Sequence, residues 1–582
     1  MPSKWKAAIM VAALLSSTMP SVNALDDNGT HRIHHVLLIS IDGMHALDFI
    51  NCSNGINGAA PYCPHLAELA STGVNYRDTS ASKPSDSFPG LTAIVSGGSP
   101  RVEGAFYDVA YDRSLDPPTI TTGNGVAGTG KDGCVPGSAP TGTTTEFEEG
   151  IDFDQSKLNG GASAGVDGGI QSIDPLKLER DPSRGCAPVY PWDFVRTNTI
   201  FGVIHAAGGY TAWSDKHPAY SSVSGHGSGG MAVDDYYSPE INSIPVALSG
   251  VTAQGINCDP LPDQTTVAPS NAWTDSFDNI KCYDQLKVNA VLNEINGKTH
   301  NGKASAHRPA LLGMNFQVVS VGQKLIEKSL ALKGGYQDSI GTPTPSLRSE
   351  IVFTDNAIGA MVAALKENGI YDSTVIVITA KHGQSPIDSA RYLGIANSTD
   401  DPISTSPATI LDDLGCLPES ESPSNSSGIG PTEDDISLIW LKSSCTTPDA
   451  VSHLELASPA SNNVAGMGEI FSGLGLTTYF NRPGLPPSGD PRTPDIIVSP
   501  NVGVTYSGSG KKLAEHGGFS RDDTNVMMLL SNPSFKGKVV TAPVETMQVA
   551  PTILKALGLD PNLLEAVRLE GTQVLPGLDF GK

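Results

Sequence analysis

Apolar, β-branched runs that stop abruptly at an ionisable residue and a glycine set the pattern of this chain. One is His35-Val-Leu-Leu-Ile-Ser-Ile-Asp42-Gly43; another is Val375-Ile-Val-Ile-Thr-Ala-Lys381-His382-Gly383. Unbroken apolar runs of this length predict buried parallel strands, and the glycine predicts a tight exit at the carboxyl edge of the sheet. Ala514-Glu515-His516-Gly517-Gly518 repeats the polar ending. A further buried strand is predicted from Leu311. Helical spacing with glycine stops predicts helices over Pro64–Gly73, Glu350–Asn368 and Met547–Gly558. Another helix should open at Ser87. Thr199 to Trp213 is an α/β unit that ends at Ser214-Asp215-Lys216-His217. Strands alternating with helices predict an α/β fold whose mostly parallel central sheet carries helices on both faces.

The pattern fails in two places. Residues 107–190 and 396–435 are rich in Gly, Thr, Asp, Ser and Pro and lack periodicity, so they are expected as long loop insertions. Two glycine motifs in loops carry no phosphate-binding signal. Gly125-Val-Ala-Gly-Thr-Gly130-Lys131-Asp132 lacks the final Ser or Thr and a preceding strand. Gly225-His-Gly-Ser-Gly-Gly230 has neither strand before nor helix after.

The first 24 residues read as a secretory signal: Lys4 and Lys6, an apolar Ala7–Leu15 stretch too short to span a bilayer, then Val22-Asn-Ala24. Residues 25–582 are expected to form a single domain. Eight cysteines fall as neighbours, Cys52 and Cys63, Cys134 and Cys186, Cys258 and Cys282, Cys416 and Cys445, and predict four local disulfides in an oxidising compartment. Sequons at Asn28, Asn51, Asn397 and Asn425 add candidate glycosylation sites. The chain is therefore expected to be secreted. Removing the signal takes away two lysines and no acid, which moves the formal charge from -24 to -26. That argues against a nucleic-acid polymer or an anionic membrane as partner, but not against a small phosphoryl ester.

The candidate chemistry lies at the strand ends. Asp and His suit a divalent metal. Lys83-Pro-Ser-Asp-Ser87-Phe-Pro89-Gly90 offers a hydroxyl nucleophile in a turn. Any one of these residues alone is more often a cap than a ligand; their joint occurrence points to metal-assisted transfer at phosphorus.

On these motifs the chain resembles the alkaline phosphatase superfamily, in particular its type I phosphodiesterase/nucleotide pyrophosphatase branch. The resemblance is closest over about 35–105 and 350–385. It implies an α/β sheet and two adjacent metals, usually zinc, which activate a Ser or Thr. Asp42 matches the first-strand ligand, Ser87 the metal-bound nucleophile, His382 the His of Asp-His-Gly and His516 the late His. The chain also departs from the family. Lys381 stands where the family has Asp. Asn315 and Gln323, both neutral, are the best match to its Asp-x-x-x-His. Gly90 stands where its nucleophile turn carries Asn.

The expected cofactor is thus one or two divalent ions, zinc in the family. Asp42, Ser87 and His382 would hold the main ion, with His516 beside it. Lys381 would supply a fixed positive charge, and Asp215, Lys216 and His217 are further candidates for substrate contact. The expected function is a secreted metal-dependent phosphoric ester hydrolase. The alternatives are a one-metal sulfatase-like or phosphonate hydrolase, and a non-catalytic binding protein on the same fold.

Overall fold

The computed structural model describes residues 33–119, 133–147, 173–241, 256, 258, 273–395, 405–425, 428–460, 467–480, 490–507 and 512–580. The expected signal, Asn28, Asn397 and the Gly125–Asp132 motif lie outside them.

The strands of the two larger sheets are numbered along the chain. They are β1 (His35–Ile41), β2 (Val74–Tyr76), β3 (Ala212–Ser214), β4 (Asp235–Tyr237), β5 (Leu311–Phe316), β6 (Thr374–Thr379), β7 (Thr432–Glu433), β8 (Ser437–Ile439), β9 (Met467–Ser472), β10 (Ile496–Pro500), β11 (Leu529–Ser531) and β12 (Lys538–Val540). The helices that matter here are α1 (Ala46–Asn54), α2 (Pro64–Thr72), α3 (Ser87–Ser96), α4 (Phe277–Ile295), α5 (Val318–Lys324), α6 (Pro345–Glu367) and α7 (Val549–Ala556).

The eight-stranded sheet runs β12-β2-β11-β6-β1-β5-β3-β4. β1 lies between β5 and β6, parallel to both, with Val36 opposite Leu311 and Val375. β11 pairs antiparallel with β6 and β2, and the remaining pairings are parallel. The sheet is therefore mostly parallel, as the unbroken apolar runs required.

Alternation along β1 divides its side chains between two cores. Val36 and Leu38 enter one with Phe88, Leu91 and Ile94 of α3 and Ile553 and Leu554 of α7. Leu37, Ile39 and Ile41 enter the other with Leu66 of α2, Val288 and Val291 of α4, and Ile351, Ile358 and Leu365 of α6. Both faces are covered. α6 begins earlier than the periodicity indicated: Thr344 caps it by accepting from the Leu347 N–H, and Pro345 opens it.

The second expected insertion contains more order than its composition indicated. Residues Pro407–Asp413 are helical, and β7 joins β8, β10 and β9, which lie beyond the insertion, in a four-stranded antiparallel sheet. Leu411, Ile439, Leu454, Ile496 and Val498 pack into a separate apolar cluster on it. In the first insertion, Val109–Asp112 pairs with Thr143–Glu146 as a short ribbon. The four disulfides join the sequence neighbours, Cys52–Cys63, Cys134–Cys186, Cys258–Cys282 and Cys416–Cys445. No described helix is long and apolar enough to cross a membrane.

Candidate active site

Parallel strands bring their carboxyl ends to one edge, and the candidate residues lie there. Asp42 follows β1, Asp215 and Lys216 follow β3, Asn315 ends β5, and Lys381-His382 follows β6. Ser87 is the first residue of α3 rather than part of an open turn. Asp86 caps that helix by accepting from the Phe88 N–H. The Ser85 carbonyl accepts from the Gly517 N–H at 2.9 Å, and the Ser85 N–H donates to the Gly518 carbonyl at 3.2 Å. Those two bonds join the His516 loop to the Ser87 segment. Gly517 has φ +105°, and a Cβ there would lie 2.0 Å from the Tyr107 hydroxyl, so only glycine fits.

Ser87 Oγ is the meeting point. His382 Nε2 lies 3.1 Å from it, and Lys216 Nζ donates to it at 3.1 Å. Asp42 Oδ2 is farther, at 3.4 Å. His382 Nδ1 lies 2.7 Å from the Gly383 carbonyl, which can only accept. The ring hydrogen is therefore on Nδ1, and the Nε2 lone pair faces the Ser87 hydroxyl. Burial lowers the His382 pKa and His516 lowers it further, against the pull of Asp42, so the imidazole favours its neutral form. The His516 ring lies 4.0 Å from it, centre to centre. Burial lowers the His516 pKa too, although Glu515 opposes this. His516 Nδ1 stands 3.2 Å from Asp86 Oδ1.

Asp42 sits in a cage of donors. Asn315 Nδ2 donates to Oδ1 at 2.7 Å and Gln317 Nε2 donates to Oδ2 at 2.7 Å. Lys381 Nζ is 3.9 Å from Oδ2 and 2.9 Å from Asp215 Oδ1. Burial raises the Asp42 pKa, but Lys381, His382 and Lys216 outweigh it and hold the carboxyl well below its usual range. Asp215 also accepts from the Trp213 indole N–H at 2.9 Å. The Lys381 ammonium lies 3.8 Å from the centre of the Tyr220 ring, a cation–π contact. Ser87, Asp42, Lys381 and Asp215 are fully buried; Lys216 and His516, 7 % and 8 % exposed, are among the more accessible groups.

Three expected roles are corrected by this geometry. Gln323 does not join Asn315 beside Asp42. Its amide donates to the Gly43 carbonyl at 2.7 Å and to the Tyr336 hydroxyl at 2.8 Å, within a network that includes His45 and Asp48. His217 turns its Nδ1 to Glu240, 2.6 Å away and equally buried, so that nitrogen is engaged by a carboxylate away from Ser87. Asn51 is unsuited to a glycan. It is 9 % exposed, and its amide donates to the Ile340 and Gly341 carbonyls at 3.0 and 3.1 Å. Asn425 is half-buried, with its amide donating to the Glu419 carbonyl at 2.8 Å.

Other contributors were not legible beforehand. Gln317 lies just past β5, at the cap of α5, and brings its amide to the same carboxylate as Asn315 two residues before it. Lys287 donates to the Asn315 carbonyl at 2.6 Å and pairs with Asp284 at 2.9 Å, one helical turn away on α4. Gly90 has a steric explanation: a Cβ there would lie 2.3 Å from the Lys381 carbonyl oxygen, so no side chain fits.

The donor set does not fit a divalent ion. A metal held by Asp42, Ser87 and His382 would share their space with two ammonium groups. Both Asp42 oxygens already accept amide hydrogens, and Lys216 already donates to Ser87 Oγ. The two carboxylates Asp42 and Asp215 balance Lys216 and Lys381, and the third buried carboxylate, Asp86, is turned to the Phe88 and Asp108 N–H groups and to His516, so beside Ser87 itself little negative charge is left to offset the desolvation of a dication. Among the described residues no group of three or more His, Cys, Asp or Glu is arranged to hold a metal. As arranged, Asp42, Ser87, His382 and His516 do not fit the one or two ions expected of them.

Comparison with solved structures finds murine ectonucleotide pyrophosphatase/phosphodiesterase 5 at 13% identity and TM-score 0.48, covering 90% of this chain and 96% of that one. An inactive variant of the same murine protein in complex with AMP matches at 13% identity and TM-score 0.49, covering 91% and 96%. A mutant of alkaline phosphatase PafA matches at 12% identity and TM-score 0.49, covering 92% and 97%. No curated protein sequence matches. The profile of the type I phosphodiesterase / nucleotide pyrophosphatase family matches residues 36–138 and 268–519, well over half of the chain and inclusive of Asp42, Ser87, Asn315, Lys381, His382 and His516. Members of that family are typically dependent on divalent metals and act on small phosphate esters. The chain belongs to the type I phosphodiesterase/nucleotide pyrophosphatase family, hydrolases of phosphate ester bonds.

Proposed function

We propose that the protein is a secreted hydrolase of small phosphate esters in which Ser87 attacks phosphorus. The observation that carries this reading is the convergence of His382 Nε2 and Lys216 Nζ on Ser87 Oγ, each at 3.1 Å. A serine hydroxyl is a weak nucleophile until a base removes its proton, and the neutral Nε2 is placed to do so. Ser87 Oγ forms the new bond to phosphorus as its proton passes to Nε2. The bond from phosphorus to the leaving oxygen breaks on the far side, and that oxygen departs with the electron pair. In-line displacement puts the leaving group on the face opposite Ser87 Oγ, where His382, beside Oγ, does not protonate it, so esters of acidic alcohols, which depart as anions, should react fastest. Water then attacks the phosphoryl-serine from the vacated side, and its surplus proton stays on the released phosphate or passes to the departed alkoxide. Ser87 leaves and takes its proton back from Nε2. Lys216 lies close enough to Oγ to offset charge on the phosphoryl oxygens in both steps.

Secretion is supported by the signal-like start and the four disulfides. The family name makes nucleotide diesters the first natural class to test after aryl esters.

Ser87→Ala is expected to abolish turnover of aryl phosphate mono- and diesters. Acid-quenched wild type should carry a phosphoryl adduct on the Ser87 peptide. Equal turnover by the variant refutes the nucleophile. One observation favours a second reading, a secreted binding protein on this scaffold: Ser87 is fully buried. A folded wild type that turns over no member of a broad ester panel would select it.

A further inference from the structure

We infer that this centre works without a bound divalent ion, with the Lys381 and Lys216 ammonium groups as its two fixed positive charges. The inference rests on the reading of Ser87 as nucleophile. Metal ions in phosphoryl transfer do two things: they lower the barrier to deprotonating the nucleophile, and they neutralise charge on the transferred group. Each has a substitute here.

Deprotonation falls to His382. Its Nδ1 hydrogen is committed to the Gly383 carbonyl at 2.7 Å, and Nε2 faces Ser87 Oγ at 3.1 Å. A histidine bound to a metal through Nε2 could not accept that proton, because the lone pair would be occupied. Metal ligation and this hydrogen bond are mutually exclusive at one atom.

Charge neutralisation falls to the lysines. Lys216 Nζ touches the nucleophilic oxygen directly. Lys381 Nζ lies within 3.9 Å of Asp42 and is fixed by Asp215 at 2.9 Å and by the Tyr220 face at 3.8 Å. A buried ammonium is stable only with such partners, and they come from two separate segments of the chain, Asp42 after β1 and Asp215 with Tyr220 after β3. The Asp42 carboxylate, which would otherwise be the strongest metal donor, is already occupied on both oxygens. Asn315 and Gln317 each give it an amide hydrogen, and Lys287 fixes the Asn315 backbone. The carboxylate thus anchors the cationic pair instead of an ion.

The test is metal content and zinc titration of the full-length secreted protein, alongside turnover in a strong chelator. The wild type is expected to retain no stoichiometric ion after dialysis, to give no saturable heat with zinc, and to keep its turnover in chelator. Lys381→Asp, which puts a carboxylate beside Asp42 and His382, is expected to gain zinc binding. Lys381→Met serves if that variant fails to fold: it removes the charge without adding a donor and should lose turnover while binding no zinc. One equivalent of ion in the wild type, or turnover lost to chelator and restored by zinc, overturns the inference. Zinc titration reads out whether or not an ester is turned over. A Ser87→Ala variant with full turnover would refute the nucleophile while leaving the metal result to stand alone.

Discussion

Lys381 Nζ lies 2.9 Å from Asp215 Oδ1, and this pair joins the ends of two strands, β6 and β3, that are not neighbours in the sheet. Both groups are fully buried. The pair therefore bridges across β1 and β5, over the top of the edge where Asp42 and Ser87 sit. Removing one member leaves an unpaired buried charge, which typically costs about 3–5 kcal/mol. Asp215→Asn and Lys381→Met are each expected to lower the unfolding free energy on that scale. The double variant should be less destabilised than the sum of the two. Denaturant unfolding of the four proteins checks this, and strict additivity would show that the two side chains do not act as a pair.

Gly90 controls how closely α3 approaches the strand end. A Cβ there would meet the Lys381 carbonyl oxygen at 2.3 Å and its carbonyl carbon at 2.9 Å, and neither is a flexible side-chain atom. Gly90→Ala must therefore displace either the helix that carries Ser87 or the segment that carries Lys381 and His382. Overpacking of this kind costs about 1–3 kcal/mol. The substitution is expected to lower the melting temperature and, by moving Ser87 from His382, to reduce kcat more than it changes KM. An alanine variant with unchanged stability would show that the two segments are not in contact in solution.

Asn51 is expected to remain unglycosylated. Its amide donates to two carbonyls of the 340–341 turn, and its neighbour Cys52 is bonded to Cys63. A glycan on that nitrogen would break the contacts and has no space. Peptide mapping before and after glycosidase treatment should show no mass shift on the Asn51 peptide. Asn51→Asp should be destabilising by about 1–3 kcal/mol, because a carboxylate cannot donate to those carbonyls.

Much of the site was legible because apolar runs announce where strands end. Asp42, Lys381 and His382 each follow a buried strand in the sequence, and the sheet places them together. His516 required no strand, only its glycines, and Gly517 proves to be held by contact with Tyr107. What failed was spacing across a loop. Gln323 was matched by distance along the chain, yet α5 carries it away from Asp42 and toward Tyr336. Gln317, two residues beyond Asn315, takes that place. His217 looked chemically suited, but its partner Glu240 lies 23 residues away in a region with no periodicity. The four-stranded sheet was hidden for a related reason. Its strands are short, two to six residues, and its core is assembled from segments scattered over 395–506.

Glu421 gives the fold a pH dependence that is independent of the site. Burial raises its pKa from the usual carboxyl range to about 7, against hydrogen bonds from Thr144 and Thr432. Thr144 Oγ1 donates to Oε1 at 2.5 Å, and the Thr432 N–H and hydroxyl donate to Oε2 at 3.2 Å. The unfolded chain releases this proton near the ordinary glutamate value. Between that value and about 7 the folded state binds more protons than the unfolded one, so stability falls as pH rises through the window and is level above it. A shift of this size corresponds to about 3 kcal/mol. Glu421→Gln removes the titration but keeps the shape: its carbonyl can accept from Thr432, and its amide can donate to Thr144 Oγ1, which passes its own hydrogen to Ser420 at 2.6 Å. The variant and wild type should melt together near the acid end of the window, and the variant should melt higher at about pH 8. Scanning calorimetry at the two pH values decides it. A difference of the same size at both would mean that Glu421 is ionised throughout, and its raised pKa would then have to be abandoned.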